Sequence, residues 1–158
     1  MGNYKNLEID FIERTLNLIS QYGANLHKYE FAQQYNYTLL INCLMGIIVM
    51  PKERIYSRLP NERLTKRLKN EMGLFESTVD SKIKNIRDLI KGLRNSIAHF
   101  SIEIISKDKN ELIDIIRFID TDEHGKVEGI VAEFKAEDLL PFIRYYGYWI
   151  ISNLKKNE

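Results

Sequence analysis

The chain has 158 residues, of which 44% are hydrophobic, 28% charged and 11% aromatic, and its formal net charge is +1. This composition can bury a hydrophobic core and excludes a disordered chain, which would combine few aromatic residues with a large net charge. Overall charge also gives no sign of a nucleic-acid or membrane-surface binder. With no internal repeat, low-complexity segment or linker in the sequence, we expect one domain over residues 1–158.

The most apolar stretch of the chain is too short to cross a membrane. Residues 37–50 contain Asn42 and are followed by Pro51, whereas a membrane-spanning helix needs about 20 apolar residues. Charged residues interrupt the N-terminus early, which argues against a secretory signal. We therefore expect a cytoplasmic protein with no membrane partner.

The one cysteine, Cys43, lies within this apolar stretch. A single cysteine cannot form a disulfide within the chain, so we expect no disulfide partner. A catalytic thiol needs a nearby base and some exposure to solvent. We favour a buried side chain that acts as a small hydrophobic residue.

Helical spacing of apolar residues marks the first part of the chain. It predicts a first helix over residues 6–22 that ends at Gly23. A second, long helix is predicted over residues 28–50, because Pro51 cannot continue it.

A short connector and a short helix are predicted next. Residues 51–60 lie between two prolines and favour a connector with a short turn. Asn61 is a suitable N-cap for a helix over residues 62–73, and Gly73 is a suitable end for it.

The best defined helix carries a single apolar stripe. Its members recur at steps of three and four residues: Val79, Ile83, Ile86, Leu89, Ile90, Leu93 and Ile97. The stripe predicts an amphipathic helix from about residue 79 to residue 99. Asp80 or Ser77 is the expected N-cap.

β-branched residues dominate the next part of the chain. Three segments run apolar or alternate: residues 102–105, 112–120 and 127–134. A turn at Gly125 separates the last two, so we expect a hairpin or a small three-stranded antiparallel sheet. A last helix is predicted over residues 136–155, with Pro141 tolerable only if the helix begins near residues 138–140. The predicted fold is mainly α, with about five helices and a small antiparallel β insertion before the last.

Charge is divided unevenly along the chain. Residues 52–99 hold 12 lysines and arginines against 6 acidic residues, and residues 100–138 hold 5 against 11. The near-zero total therefore hides a basic helical middle and an acidic sheet. A basic face could collect a phosphate backbone, or these charges could simply form a solvated surface.

The segment GLRNSIAHFS, residues 92–101, carries the best candidate site. Asn95 directly follows Arg94, and His99 lies five residues after the arginine. Arginine holds a phosphate through a fixed fork of donors, and histidine can accept or donate a proton near neutral pH. Together they suit cleavage of RNA. The acidic residues and histidines lack a metal-ligand spacing, so we expect no metal or cofactor.

The spacing of this motif has a geometric consequence. On an ideal helix Arg94 and His99 are rotated by about 140° and do not share a face, whereas Asn95 and His99, four residues apart, do. Two copies of the helix around a two-fold axis would bring both pairs together, so we expect a homodimer. Three small residues would let the second helix approach: Gly92, Ser96 and Ala98.

The run from Arg94 to His99, at the end of an amphipathic helix, resembles the Arg-x4–6-His motif of the HEPN (higher eukaryotes and prokaryotes nucleotide-binding) superfamily. An asparagine after the arginine is typical of that motif. The stretches VMPKERIYSRLP and LRNSIAHF, with strands before a last helix, resemble a branch of small stand-alone HEPN proteins from prokaryotic mobile elements. The resemblance covers most of residues 28–155.

This resemblance implies a HEPN-like helical bundle and a homodimer with the motif helices at its interface. It also implies metal-independent endoribonuclease activity through the 2′-hydroxyl, in a toxin or phage-defence effector with an antitoxin or regulatory partner. The family's catalytic roles carry over to Arg94, Asn95 and His99. Some HEPN toxins carry an adenylylated tyrosine two residues after the histidine. Ser101 stands at that position here, so we do not expect this regulation.

Two other interpretations of the motif stay open. The chain could be a non-catalytic HEPN module that binds RNA, a nucleotide or a protein partner, with the motif as a polar network that stabilises the dimer. Residues 92–101 could also be an ordinary helix terminus, where the helix dipole favours a protonated His99. Exposure of His99 to a basic groove would favour the nuclease.

Several further polar residues have simpler interpretations than a site. His27 and His124 are expected to be solvated in loops. Arg54 and Arg58 flank Tyr56 and are expected to be exposed rather than bound to substrate. Four aromatic residues of the last helix could stack on bases, but we favour packing: Tyr145, Tyr146, Tyr148 and Trp149.

Overall fold

The computed structural model describes residues 3–50, 57–107, 112–122 and 124–156. These residues contain five α-helices: α1 Leu7–Asn25, α2 Asn36–Val49, α3 Lys66–Glu71, α4 Ile86–Ala98 and α5 Ala136–Lys155. They also contain four strands: β1 Thr78–Val79, β2 Ile102–Ile105, β3 Ile115–Thr121 and β4 Val127–Lys135. The strands form one antiparallel sheet in the order β1-β4-β3-β2. The mainly α class is confirmed, but the sheet is larger than predicted and receives a strand from before α4.

The sheet and the helices share one hydrophobic core. Helix α4 packs against β3 and β4 on one side and against α2 on the other, and α5 packs against α1 and α2. Aromatic rings link the sheet to α5, with centroid separations of 5.3 Å from Phe118 to Phe134 and 5.0 Å from Phe134 to Phe142. In the described ranges no helix is both long and apolar enough to cross a membrane.

The first two helices differ from their predicted bounds. Helix α1 continues through Gly23 to Asn25, and the long second helix is wrong at its start, because α2 begins at Asn36. Two 3-10 turns, Leu26–Lys28 and Phe31–Gln33, precede it. The physical reason is a tertiary contact, since the N–H of Tyr35 donates to the hydroxyl of Tyr22 at 2.7 Å and is held outside α2.

The short helix α3 begins at Lys66, with Thr65 rather than Asn61 as its N-cap. The Thr65 hydroxyl accepts a hydrogen bond of 3.2 Å from the N–H of Leu68. Gly73 ends the helix as predicted, with a φ of 79°. A Cβ at that position would lie 2.4 Å from Cβ of Pro141, so the close approach of α5 also requires glycine.

Helix α4 is shorter than the apolar stripe predicted. It begins at Ile86, and Asn85 caps it by accepting a 2.8 Å hydrogen bond from the N–H of Asp88. The first stripe residue, Val79, instead lies in β1 and pairs with Ala132 of β4. Ser77 is not a helix cap, because its hydroxyl donates to the buried carboxylate of Asp138 at 2.7 Å.

The predicted strands and the last helix are present. Gly125 forms the β3–β4 turn with a φ of 78°, and α5 spans the predicted residues. Pro141 lies more than one turn inside α5, so the helix accepts this proline without the later start, near residues 138–140, that we expected it to require. The Glu137 carbonyl, which would pair with the N–H that proline lacks, belongs to an exposed residue that solvent can hydrate.

Candidate functional site

The motif lies at the C-terminal end of α4, where a closed turn fixes the backbone. His99 is the C-cap, and its N–H donates to the Asn95 carbonyl at 3.0 Å. The N–H of Phe100 donates to the Ile97 carbonyl at 3.0 Å, and that of Ser101 donates to the Ser96 carbonyl at 2.7 Å. These bonds form a Schellman motif. It puts Phe100 in the left-handed region with a φ of 55°, at a cost of about 1–3 kcal/mol for a residue with a side chain.

Strand β3 anchors this helix end. The hydroxyl of Ser96 donates to the Ile119 carbonyl at 2.8 Å, with the Gly92 carbonyl at 3.0 Å. The N–H of Ile119 donates to the Ser101 carbonyl at 2.9 Å, and the hydroxyls of Ser101 and Thr121 are 3.2 Å apart. The chain is therefore attached to the sheet on both sides of His99, at Ser96 and at Ser101, which fixes the position of the histidine.

The three predicted site residues lie at the solvent side of α4. Asn95 and His99 are exposed, whereas Arg94 is half-buried. On an ideal helix Arg94 and His99 flank an arc of about 140° that contains Ala98. Ala98 is also exposed. The chain thus presents the motif residues on one exposed side, with the arginine and the histidine at its two borders.

The small residues of α4 serve a different purpose from the predicted one. Ser96 is fully buried against β3 in the same chain. A Cβ at Gly92 would lie 2.7 Å from Cγ1 of Val131, so this glycine lets β4 approach. The prediction that Gly92 and Ser96 admit a second helix is therefore wrong, because the sheet already occupies that side. Ala98 is the one small residue of the three that is open to a partner.

Part of the basic segment has a structural role. The guanidinium of Arg87 donates to the Leu59 carbonyl at 2.7 and 3.2 Å and to the Ser57 carbonyl at 3.2 Å. This fork holds the proline-bounded connector against α4, and it leaves Arg87 unsuited to phosphate binding. Arg58, between the two anchored residues, is exposed as predicted. The other two predicted residues of the connector lie outside the described residues: Arg54 and Tyr56.

The acidic sheet neutralises its own arginine. Arg117 of β3 pairs with Glu133 of β4 and with Glu103 of β2, each at 2.8 Å. The hydrogen bonds that Arg117 donates to Glu133 and then to Glu103 raise the pKa of its guanidinium above the usual value. This trio joins three strands, and its two carboxylates more than neutralise the one guanidinium, so it offers no free cation to a substrate.

The remaining candidates lie in structural or solvated places. His27 and His124 are exposed, in a 3-10 turn and a hairpin turn. Tyr146 is buried, with its ring 6.1 Å from that of Phe142 and 6.3 Å from that of Trp149, as the packing interpretation predicted. Its neighbours in α5 are less buried, with Tyr145 half-buried and Tyr148 exposed.

Besides Arg117, two titratable groups outside the motif have shifted pKa values. Burial raises the pKa of Tyr145, and the charges of Glu71 and Glu62 raise it further. Burial likewise raises the pKa of the Cys43 thiol, which agrees with the inert side chain that the sequence predicted. Within the described part of the chain, no three His, Cys, Asp or Glu side chains are grouped as metal ligands would be.

Sequence reasoning missed two contributors to this site. The first is a pair of serines, Ser96 within the motif and Ser101 just after it, whose partners on β3 are distant in sequence. The second is the left-handed Phe100. The apolar stripe stops after Ile97, which indicates the end of the helix. No local signal predicts that the phenylalanine after His99 adopts the left-handed conformation.

Comparison with known proteins gives a family and no individual relative. A family model described as HEPN pEK499 p136 matches residues 1–157. No curated protein and no solved structure matches significantly. The family model spans nearly the whole chain, including the motif on α4 and both flanking helical regions, and it agrees with the resemblance drawn from the motif. The chain therefore belongs to the HEPN superfamily, as a small protein of the HEPN pEK499 p136 family.

Proposed function

We propose that the protein is a metal-independent endoribonuclease of HEPN type that cleaves RNA through the 2′-hydroxyl. The observation that supports this best is the exposed end of α4, where Asn95 and His99 are open to solvent beside Arg94. A buried histidine in a closed polar network would have favoured a non-catalytic HEPN module instead. The biological role we propose is that of a toxin or phage-defence effector.

The proposed chemistry needs a proton acceptor, a proton donor and a group that holds the phosphate. A neutral His99 removes the proton from the 2′-hydroxyl, and the 2′-oxygen forms a bond to phosphorus as the bond from phosphorus to the 5′-oxygen breaks. A protonated histidine gives its proton to the leaving 5′-oxygen. The products are a 2′,3′-cyclic phosphate and a 5′-hydroxyl. Arg94 binds the non-bridging oxygens and stabilises their charge.

The separation of Arg94 and His99 around α4 is the reason to propose a composite site. A second copy across a two-fold axis would supply the second histidine, so one His99 acts as base and the other as acid. The exposed side of α4 that contains Ala98 is the surface available for such a dimer. Asn95, one turn before His99, would orient the imidazole or donate to the phosphate.

A cleavage assay in EDTA on total RNA and a tRNA pool tests the proposal. Arg94→Ala and His99→Ala should each abolish cutting by a folded protein, and the parent should leave 2′,3′-cyclic phosphate ends. His27→Ala is the matched control, since it removes another exposed histidine and should cut like the parent. Equal cutting by the parent and both motif variants would contradict the assignment.

A further inference from the structure

The residue after the motif histidine is unusual in conformation. Phe100 is the only non-glycine residue with a positive φ among the described residues. The two others with positive φ, at 79° and 78°, are glycines: Gly73 and Gly125. Glycine adopts this conformation without strain, so the chain keeps a phenylalanine where a smaller residue would make the same turn more easily.

The side chain of Phe100 is too exposed for packing within its own chain to offset this strain. It is 80% exposed, the largest exposed fraction of any large hydrophobic residue in the described ranges. The exposed residues of the preceding turn are polar or small: Asn95, Ala98 and His99. The ring therefore directly follows the exposed polar residues of the motif.

The backbone that carries the ring is also held in place before any ligand arrives. The N–H of Phe100 is bonded to the Ile97 carbonyl at 3.0 Å, and the next residue is bonded to Ser96 at 2.7 Å and to Ile119 at 2.9 Å. An aromatic side chain on such a fixed turn loses little conformational freedom when it binds a flat partner. Local strain that surrounding structure maintains is a common property of functional sites.

We propose that Phe100 is a substrate-binding residue that stacks on an unpaired base next to the scissile phosphate. This inference rests on the proposed function, because it names the substrate class of the same site. Stacking on an aromatic ring needs a base that has left its helix, so the substrate is single-stranded RNA or a loop. An unpaired nucleotide can also bring its 2′-oxygen in line with the leaving 5′-oxygen, which a regular A-form helix prevents.

Binding and cleavage are measured separately to test this proposal. The binding probe is a fluorescent single-stranded oligonucleotide with 2′-O-methyl groups throughout, which cannot be cut through the 2′-hydroxyl. Phe100→Leu keeps the strained backbone but removes the aromatic face, and it should weaken binding about ten-fold to a hundred-fold. Phe100→Tyr should bind like the parent. Phe31→Leu is the matched control, because Phe31 is 70% exposed in a 3-10 turn outside α4.

The outcomes separate this inference from the proposed function. Three results for Phe100→Leu would support the inference. The variant binds the probe more weakly than the parent, and its KM for an unmodified loop substrate is raised. The parent prefers single strands over duplex, and the variant loses this preference. If Phe100→Leu has the same binding affinity and KM as the parent, the stacking role is overturned. The proposed function would still stand if His99→Ala had lost cleavage. A variant that dissociates into monomers but binds normally per assembled dimer would assign the ring to a subunit interface and overturn it as well.

Discussion

The hydroxyl of Ser96 lies 2.8 Å from the backbone carbonyl of Ile119 and donates a hydrogen bond to it. This bond joins the last turn of α4 to β3, only three residues before His99. The exposed motif therefore depends on a fully buried serine, and its position relative to the sheet is set by a contact that is distant in sequence.

Replacing Ser96 by alanine should weaken this anchor. The carbonyl of Ile119 would lose its side-chain partner inside the protein, at a cost of about 1–3 kcal/mol in the free energy of unfolding. Urea unfolding monitored by circular dichroism would measure the loss. Ser101→Ala is the comparison, since its hydroxyl is less buried and its loss should cost less. An equal or smaller loss in Ser96→Ala would contradict the anchoring role.

Adding a methyl group at Gly92 should destabilise the packing of α4 against the sheet. Gly92→Ala puts a Cβ 2.7 Å from Val131, and this overpacking should lower the free energy of unfolding by about 1–3 kcal/mol. Denaturant unfolding at one fixed protein concentration measures the effect. A Gly92→Ala protein as stable as the parent would mean that the sheet can move away from α4 without cost.

Ala98→Glu should change assembly rather than the fold of one chain. Ala98 is exposed on the motif side of α4, so a charge there opposes a second copy but buries nothing within the chain. We expect a shift from dimer to monomer in sedimentation velocity and a parallel loss of cleavage. Ala24→Glu, at an exposed alanine near the C-terminal end of α1, is the control for added negative charge. An unchanged dimer in Ala98→Glu would exclude this surface as the interface.

Asp138 should be the acidic residue whose removal costs the most stability. Its carboxylate is buried and accepts hydrogen bonds from the N–H groups of Glu76 and Ser77, each at 2.9 Å, and from the Ser77 hydroxyl at 2.7 Å. Asp138→Ala leaves these donors unpaired, and we expect a loss of about 2–4 kcal/mol. Thermal unfolding against Glu137→Ala, its exposed neighbour, gives the comparison. Equal melting temperatures would show that the cluster contributes little.

Cys43 predicts how stability depends on alkaline pH. Because burial raises the pKa of its thiol above the ordinary value of 9.0, the folded protein retains this proton at a pH where the unfolded chain has lost it. The contribution to stability is therefore complete below about pH 9 and falls as the pH rises through the raised pKa. Cys43→Ser should show a smaller decline over this range in pH-dependent urea unfolding, and the native thiol should react slowly with iodoacetamide at pH 8.

The sequence by itself determined the elements whose signals are local. The bounds predicted for the last helix are those of α5, Gly73 and Gly125 marked turns that need a positive φ, and the run from Arg94 to His99 identified the family. In each case the evidence lies within a few residues, because helical spacing and glycine conformation depend on near neighbours.

Only the tertiary structure shows which of these local patterns correspond to the observed elements and contacts. Val79 continues the stripe of α4 but pairs with Ala132 of β4, since a strand pair satisfies backbone groups from two distant segments. Gly92 and Ser96 are small in any helix, and only the sheet behind α4 shows that their smallness serves the same chain. The exposure of His99 follows from the same packing, because β3, β4 and α2 cover the other sides of α4 and leave the side with His99 to solvent.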